Sequence, residues 1–287
     1  MKISFQSVII QLLMLAILPF TAICQTIDLK WHPSSSPAKM IHIYQLQADS
    51  LFSEKQKVSI AELKWEEQSS LKPGIVYADS TLKKTSIFAE EANAIVALNG
   101  GFFDVEKGGS VAYLEAEGKV ISTSRHAKEK WGKSDSLLNG AIILDRRGSL
   151  KLEIAKSSAY YELSDNEKAV MVTGPILLLA GKSLPLENSA FVKSRHPRSC
   201  LCETASKSIL FIAIDGRSEI ASGMNLQEVQ KFLLRLDCRN AINLDGGGST
   251  TLWVNNGQQK QIVNHPSDRS GERPVANILV IKEEVKK

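Results

Sequence analysis

Cysteine is scarce in this chain. Four occur in 287 residues, and Cys24 falls in an apolar N-terminal stretch, leaving Cys200, Cys202 and Cys238. Three is an odd set, which excludes a full disulfide framework. Cys200 and Cys202 share one face of an expected strand and Cys238 precedes another. One bridge to Cys238 stays open, but three buried thiols are the expectation. A zinc site is not expected either, because the usual paired spacings are missing. A dominant charge sign is lacking too. The net charge is +4, with 35 Lys and Arg against 31 Asp and Glu spread along the sequence, so no nucleic-acid groove is expected. Only one long apolar run occurs, close to the start, and no transmembrane segment is expected. No Gly-x-Ser-x-Gly elbow, His-Glu-x-x-His helix, phosphate-loop lysine motif or Rossmann glycine fingerprint is found.

What the sequence does have begins with that run. Lys2 is followed by apolar residues from Val8 to Phe20, then by Ala22 and Cys24 ahead of Gln25. This reads as a signal peptide over residues 1–24 and implies a secreted or periplasmic protein of a bacterial envelope. A lipoprotein acylated at Cys24 is the less favoured reading, because Ile23 sits where that peptidase prefers a small residue. Residues 25–74 read as an N-terminal lead-in with the first strands, and 75–287 as the main domain.

Periodicity places a helix over 81–92, closed by Asn93 in a left-handed turn, and hairpins around Glu117-Gly118 and around 146–148. Gly174-Pro175 breaks a strand run. Near the C-terminus an apolar strand, 208–214, ends at Asp215-Gly216-Arg217. A helix follows with Asn225 as N-cap and Glu228 three residues on, striped by Leu226, Val229, Phe232 and Leu233. A second strand, 241–244, runs into Asp245-Gly246-Gly247-Gly248-Ser249. The expected fold is α+β: a strand-rich mixed sheet with few helices and one parallel strand–helix–strand crossover near the C-terminus.

The glycine run carries the strongest chemical signal. Bare backbone after a buried strand costs conformational entropy, and successive amides can converge on an anion, joined by the Ser249 hydroxyl. An ordinary tight turn bearing a surface aspartate is the competing reading. Asp245 and Asp215 both end core strands, and two carboxylates facing one cleft suit glycoside hydrolysis. Asn99 and Gly100, in Asn99-Gly100-Gly101-Phe102-Phe103, offer a polar group and a close backbone approach. Arg198 and Arg273 are candidate phosphate clamps, because arginine pairs bidentately with phosphate.

These segments together resemble the phosphodiester glycosidase family. The resemblance rests on Asn99-Gly100-Gly101-Phe102-Phe103, Thr173-Gly174, Pro197-Arg198-Ser199, Asp215-Gly216-Arg217, the run from Ala241 to Ser249, and Arg273-Pro274-Val275-Ala276-Asn277. They occur in the family's order and span 75–281. The family places small residues after the arginine, whereas here Ser199-Cys200-Leu201-Cys202 follows, which is expected to narrow that wall. The resemblance implies hydrolysis of the sugar C1–O bond of a sugar-1-phosphodiester in an envelope or extracellular glycan. Asp245 and Asp215 are then the catalytic pair. Asn99, Gly100, Thr173, Gly174, Arg198, Gly246, Gly247, Gly248, Ser249 and Arg273 line the substrate and phosphate site. No cofactor or metal ligand is assigned, and a divalent cation on the aspartates is left open. The partner is a glycan or sugar phosphate. The alternatives are a glycosidase acting on unphosphorylated cell-wall sugars and a non-catalytic envelope glycan-binding protein.

Overall fold

A computed structural model describes residues 30–32, 40–64 and 70–283. The expected signal peptide and the fate of Cys24 lie outside the described residues. Three sheets form. The largest contains β1 (Lys30–His32), β2 (Ile41–Leu51), β3 (Glu54–Leu63), β11 (Ile176–Leu179), β12 (Lys182–Ser183), β13 (Arg198–Thr204), β14 (Ile209–Ile214) and β15 (Cys238–Asn243). Its order is β1-β2-β3-β14-β13-β15-β11-β12. The second holds β6 (Leu114–Ala116), β7 (Lys119–Ser122), β8 (Gly140–Asp145), β9 (Leu150–Ile154) and β10 (Glu167–Thr173). The third holds β4 (Leu71–Tyr77), β5 (Ala94–Asn99), β16 (Leu252–Asn255), β17 (Lys260–Ile262) and β18 (Asn277–Glu283). The helices are short: α1 (Thr85–Glu91), α2 (Ser158–Glu162), α3 (Ala190–Lys193) and α4 (Leu226–Arg235).

The inner faces of all three sheets meet in one core. Phe211, Leu201 and Ile242 from the first sheet pack with Ile142 and Met171 from the second and Leu98 and Leu279 from the third. Each outer face has its own cover. Leu226, Val229, Phe232 and Leu233 of α4 close over the first sheet, Phe88 and Ala89 of α1 over the third, and Tyr161 of α2 over the second. Fully burying one such side chain contributes about 1.5–3 kcal/mol. Strands 2 and 3 from the expected lead-in join the large sheet through β3–β14 pairing, so they belong to the same core as the C-terminal half.

The expected mixed sheet is corrected. Among the described residues every strand pairing is antiparallel, and the parallel pair is not formed. Strands β14 and β15 do run the same way, since each is antiparallel to β13, but β13 lies between them. The misleading signal was the unbroken apolar run of β14. It reflects burial on both faces, Ile209, Phe211 and Ala213 inward and Leu210, Ile212 and Ile214 toward α4, and burial carries no information on strand direction.

Local signals fared better. Asn225 accepts from the Glu228 N–H at 2.9 Å while the Glu228 carboxylate accepts from the Asn225 N–H at 3.0 Å, a complete capping box. Asn93 has φ 51°, and Glu117 and Gly118 at φ 52° and 72° form the two-residue hairpin link. The helix expected over 81–92 is shorter, starting at Thr85. Gly174-Pro175 carries the chain from β10 in the second sheet to β11 in the first. The expectation of three thiols is also corrected. Cys202 and Cys238 form a disulfide between β13 and β15, and Cys200 remains a buried free thiol.

Candidate active site at the strand ends

The three sheets bring five polar strand-end residues together. Asn99, at the end of β5, donates from Nδ2 to the Asp245 carbonyl at 2.7 Å. Its Oδ1 accepts from Ser199 Oγ at 2.5 Å and from the Thr251 N–H at 3.2 Å. Asn277 opens β18 and accepts from the Gly101 N–H at 2.7 Å. Asn243 ends β15 and donates to the Gly174 carbonyl at 2.8 Å. Thr173 is buried beside Gly101, where a side-chain carbon would meet it at 3.4 Å. Gly100 must lack a side chain because Asn277 Oδ1 occupies the space of its Cβ. Asn99, Gly100, Thr173 and Gly174 are therefore brought together, as the scaffold beneath Asp245.

Asp245 tops this scaffold, its N–H donating to the Gly100 carbonyl at 3.0 Å. Burial raises its carboxyl above the ordinary aspartate range. The Ser249 hydroxyl, the charges of Lys133 and Arg273, and the Gly246 N–H oppose that rise. The glycine turn departs in part from the expected convergence of successive amides on an anion. The Gly247 N–H donates to the Pro197 carbonyl at 2.9 Å. The glycines instead admit neighbours. A Cβ on Gly246 would lie 2.6 Å from Pro197 O, one on Gly247 3.2 Å from both terminal nitrogens of Arg217, and one on Gly248 would collide with Asp268 and Arg273.

Cations therefore press on the turn from two sides. Arg217 holds a left-handed backbone, φ 61°, uncommon for a residue with a side chain. Its Nη2 lies 3.2 Å from His196 Nδ1. Since a guanidinium only donates, His196 Nδ1 is the acceptor. Burial, and then the charges of Arg198 and Arg217, push the His196 pKa down, which favours that neutral ring. Arg273 makes a bidentate pair with Asp268, 2.8 and 3.0 Å. Glu272 fixes this loop to α1 by accepting from the Ser86 N–H at 2.6 Å and its hydroxyl at 2.7 Å.

Two expected site residues take other work. Arg198 is 1% exposed. Its Nε donates to Met224 O and its Nη2 to Phe191 O and Ser194 O, at 2.7–3.1 Å. The guanidinium stacks on Phe191, and burial pulls its pKa down to about 10. It clamps backbone, which corrects the expected phosphate clamp. Asp215 is 2% exposed, and its Oδ1 accepts from Asn264 Nδ2 at 3.1 Å and the His265 N–H at 2.9 Å. Burial raises its carboxyl as well. It stands at the same sheet end as Asp245, with β13 between, a spacing of roughly 10 Å between backbones. The expected narrowing by thiols is corrected too. Cys200 and Cys202 face the α4 layer, and Ser199 alone turns toward Asn99.

Several buried polar atoms here have no hydrogen-bond partner within the protein: Thr173 Oγ1, Asn243 Oδ1, Thr250 Oγ1, Thr251 Oγ1, Asn277 Nδ2 and Asp215 Oδ2. Such a concentration is unusual in a native interior and marks the region as one not built for stability alone. Among the described residues no group of three His, Cys, Asp or Glu side chains gathers as a metal site. Sequence reasoning passed over Arg217 and Asn277 although each lay inside a quoted segment, and Asp268 and Lys133 lay in none.

A family model described as phosphodiester glycosidase matches residues 92–282. The chain is similar to N-acetylglucosamine-1-phosphodiester alpha-N-acetylglucosaminidase from Bos taurus, 28% identical over 63% of this chain and 34% of that protein. The Homo sapiens protein of that name is 27% identical over 68% of this chain and 39% of its own length. The chain thus spans between a third and two fifths of these relatives. In fold it is similar to the zebrafish catalytic domain of that enzyme, solved as auto-inhibited by its pro-peptide. That match has TM-score 0.65 and 20% identity, covering 89% of this chain and 88% of that one. A Synechocystis protein matches with TM-score 0.59 and 15% identity over 85% of this chain and 62% of its own.

Proposed function

The chain belongs to the phosphodiester glycosidase family, and from that premise we propose that it hydrolyses the sugar C1–O bond of a sugar-1-phosphodiester in envelope or extracellular glycans. The observation that carries the proposal is the placing of Asp245. Its carboxyl, raised by burial although the residue is only partly buried, sits on a polar scaffold and borders a glycine turn flanked by Arg217 and Arg273. An anionic diester matches that arrangement. The departing phosphate monoester has a second pKa near ~6 and leaves with little help from an acid. Cations beside the turn stabilise the charge that develops on it, and Asp245 meets the oxocarbenium-like carbon as nucleophile or as base toward water. Asp215 has the supporting part, holding Asn264 and the loop that leads to Asp268.

An oxidising envelope compartment is proposed with it. The N-terminal sequence supports this reading, and so does the Cys202–Cys238 disulfide, a bond that persists mainly outside the cytosol. One feature favours a glycosidase of unphosphorylated sugars. Both aspartates are raised toward protonation, as a general acid for an alkoxide leaving group must be.

The test compares sugar release from N-acetylglucosamine-1-phosphate diesters and from matched unphosphorylated glycosides, with and without chelator. Release from the diesters that falls by roughly 10³-fold or more in Asp245→Asn is expected. Release only from the unphosphorylated glycosides would establish the alternative, and near wild-type turnover in Asp245→Asn would remove Asp245 from the chemistry.

A further inference from the structure

His196 and Pro197 lead into strand β13 and are held from two sides. The Pro197 carbonyl accepts from the Gly247 N–H at 2.9 Å, and His196 and Met224 exchange N–H···O bonds of 3.3 and 3.2 Å. Gly223 has φ 82°, and a Cβ there would stand 2.5 Å from the His196 carbonyl oxygen. On the facing loop the Ser218 and Ala221 backbones pair at 3.1 and 3.3 Å, and the Ser222 N–H donates to the Lys55 carbonyl at 2.9 Å. Arg217 opens this turn. The backbones that carry the His196 ring and the Arg217 stem are therefore both fixed beside the glycine run.

The two side chains meet where that run lacks side chains of its own. Arg217 Nη2 lies 3.2 Å from His196 Nδ1. Both terminal nitrogens of Arg217 lie 3.2 Å, and its Cζ 3.5 Å, from where a Gly247 Cβ would stand, so the forked end of the guanidinium rests on the bare turn. The neighbouring arginines are engaged: Arg195 with Glu54 and Glu228, Arg273 with Asp268 and Arg198 with three carbonyls. Arg217 is exposed and, among the described residues, pairs with no carboxylate. We propose that Arg217 binds the phosphate of the substrate through its free N–H groups and that His196 is the positioning residue that holds it at the glycine turn.

This assignment rests on the proposed phosphodiester chemistry and adds a condition to it. A guanidinium only donates, so the contact needs the Nδ1 lone pair of a neutral ring. Protonation removes that lone pair and sets two cations side by side. Burial, then the charges of Arg198 on β13 and of Arg217, hold the ring's pKa below the ordinary histidine value. The carboxylates of the flanking segments have partners elsewhere, Glu54 and Glu228 in Arg195, and Asp215 in Asn264 and the His265 N–H. On the Arg217 loop Glu219 is exposed and Lys55 Nζ meets its carbonyl at 3.3 Å, while Asp245 heads the glycine turn. Arg217 is thus held at neutral pH and released as His196 protonates.

The test uses UDP-N-acetylglucosamine as the probe, in an Asp245→Asn background to prevent turnover. Its phosphates lack the second ionisation of a monoester near ~6, so their charge is constant between about pH 5 and pH 8. At the upper end of that range Arg217→Met and His196→Ala are each expected to weaken binding about tenfold. His196→Asn, whose Oδ1 takes the place of Nδ1, should restore most of the loss. The Arg217→Met, His196→Ala double variant should bind no more weakly than Arg217→Met alone. Protein that retains His196 should lose affinity on acidification, and the His196→Asn protein should not. A ring ¹⁵N titration, with the His196 signal identified by its loss in His196→Asn, reads the pair without any ligand. Arg217→Met should raise that midpoint by about 0.5–1 pH unit. Thermal unfolding checks that the variants fold, with Arg217→Asn used if Arg217→Met does not, since asparagine tolerates a left-handed backbone. An unmoved midpoint, or a His196→Asn protein that binds as weakly as His196→Ala, overturns the inference. So does probe binding that neither Arg217→Met nor His196→Ala weakens. If the probe does not bind and wild type releases no sugar from a diester, the proposed activity fails, and the titration alone decides whether His196 holds Arg217.

Discussion

Strands β13 and β15 serve two regions that follow opposite rules. At the end near Cys238, the strands are joined by a disulfide and the sheet face is closed by α4, whose apolar stripe is buried. At the other end they deliver Ser199 and Asp245 to a layer containing two carboxyls raised by burial, a left-handed arginine and several unpartnered polar atoms. Local propensity, packing and hydrogen bonding agree at the first end and conflict at the second. Proteins accept such conflicts where chemistry needs desolvated charge and fixed dipoles, and well-packed regions elsewhere offset the cost.

If that division is real, stability and activity should separate between the two ends. The largest effect is expected from the disulfide. Replacing Cys202 and Cys238 together by serine opens a link across 36 residues, worth about 4 kcal/mol on the chain-entropy model. Urea unfolding should show that loss, while kcat/KM measured well below the transition stays within about twofold. A parallel collapse of activity would mean that the two ends are mechanically coupled and would break the comparison.

Next in size is the reverse case. Gly248→Ala places a methyl group against Asp268 and Arg273, separating that pair and shifting the turn beside Asp245. A misplacement of about 1 Å at a reacting centre costs on the order of 10²-fold in rate. The expected result is a loss of that order in kcat/KM on a diester, with a smaller fall in melting temperature than the serine pair causes. Full activity in Gly248→Ala would show that the glycine run is only a turn.

The same two regions explain what was legible in the sequence. The Asn225–Glu228 box, the α4 stripe and the Glu117-Gly118 turn depend on residues within a few positions of each other, and each was readable. The Asp245 turn was readable because three glycines after a buried strand are locally costly. Strand order was not. The insertion of β13 between β14 and β15 is decided by hydrogen bonds across the sheet, and the apolar run of β14 reads the same for either direction. Arg198 was misread because nothing in the sequence shows that the chain just upstream folds back to aim the Phe191 and Ser194 carbonyls at it, and the third carbonyl, of Met224, comes from beyond β14. Lys133 had no signal at all, since an irregular loop has no period from which to infer where a side chain points.

The smallest expected effect sharpens the comparison most, because it measures the cost of the site itself. The folded-state pKa of Asp245 lies above its unfolded value, so the carboxyl binds its proton more tightly in the folded protein. Its contribution to stability is complete below the unfolded pKa and is lost as pH rises through the folded pKa. At neutral pH the wild type therefore carries an ionised group that burial disfavours, whereas Asp245→Asn does not. The variant should melt slightly higher than wild type at pH 7, and the difference should shrink as pH falls through the carboxylate range. Melting curves for both proteins between pH 4 and pH 7, read alongside activity, test this directly. A variant that is inactive and whose stability advantage over wild type grows with rising pH places the cost of function at Asp245. An inactive variant less stable than wild type across that range would mean that the carboxylate holds the turn together, and that the strand-end region is better satisfied than its unpartnered atoms suggest.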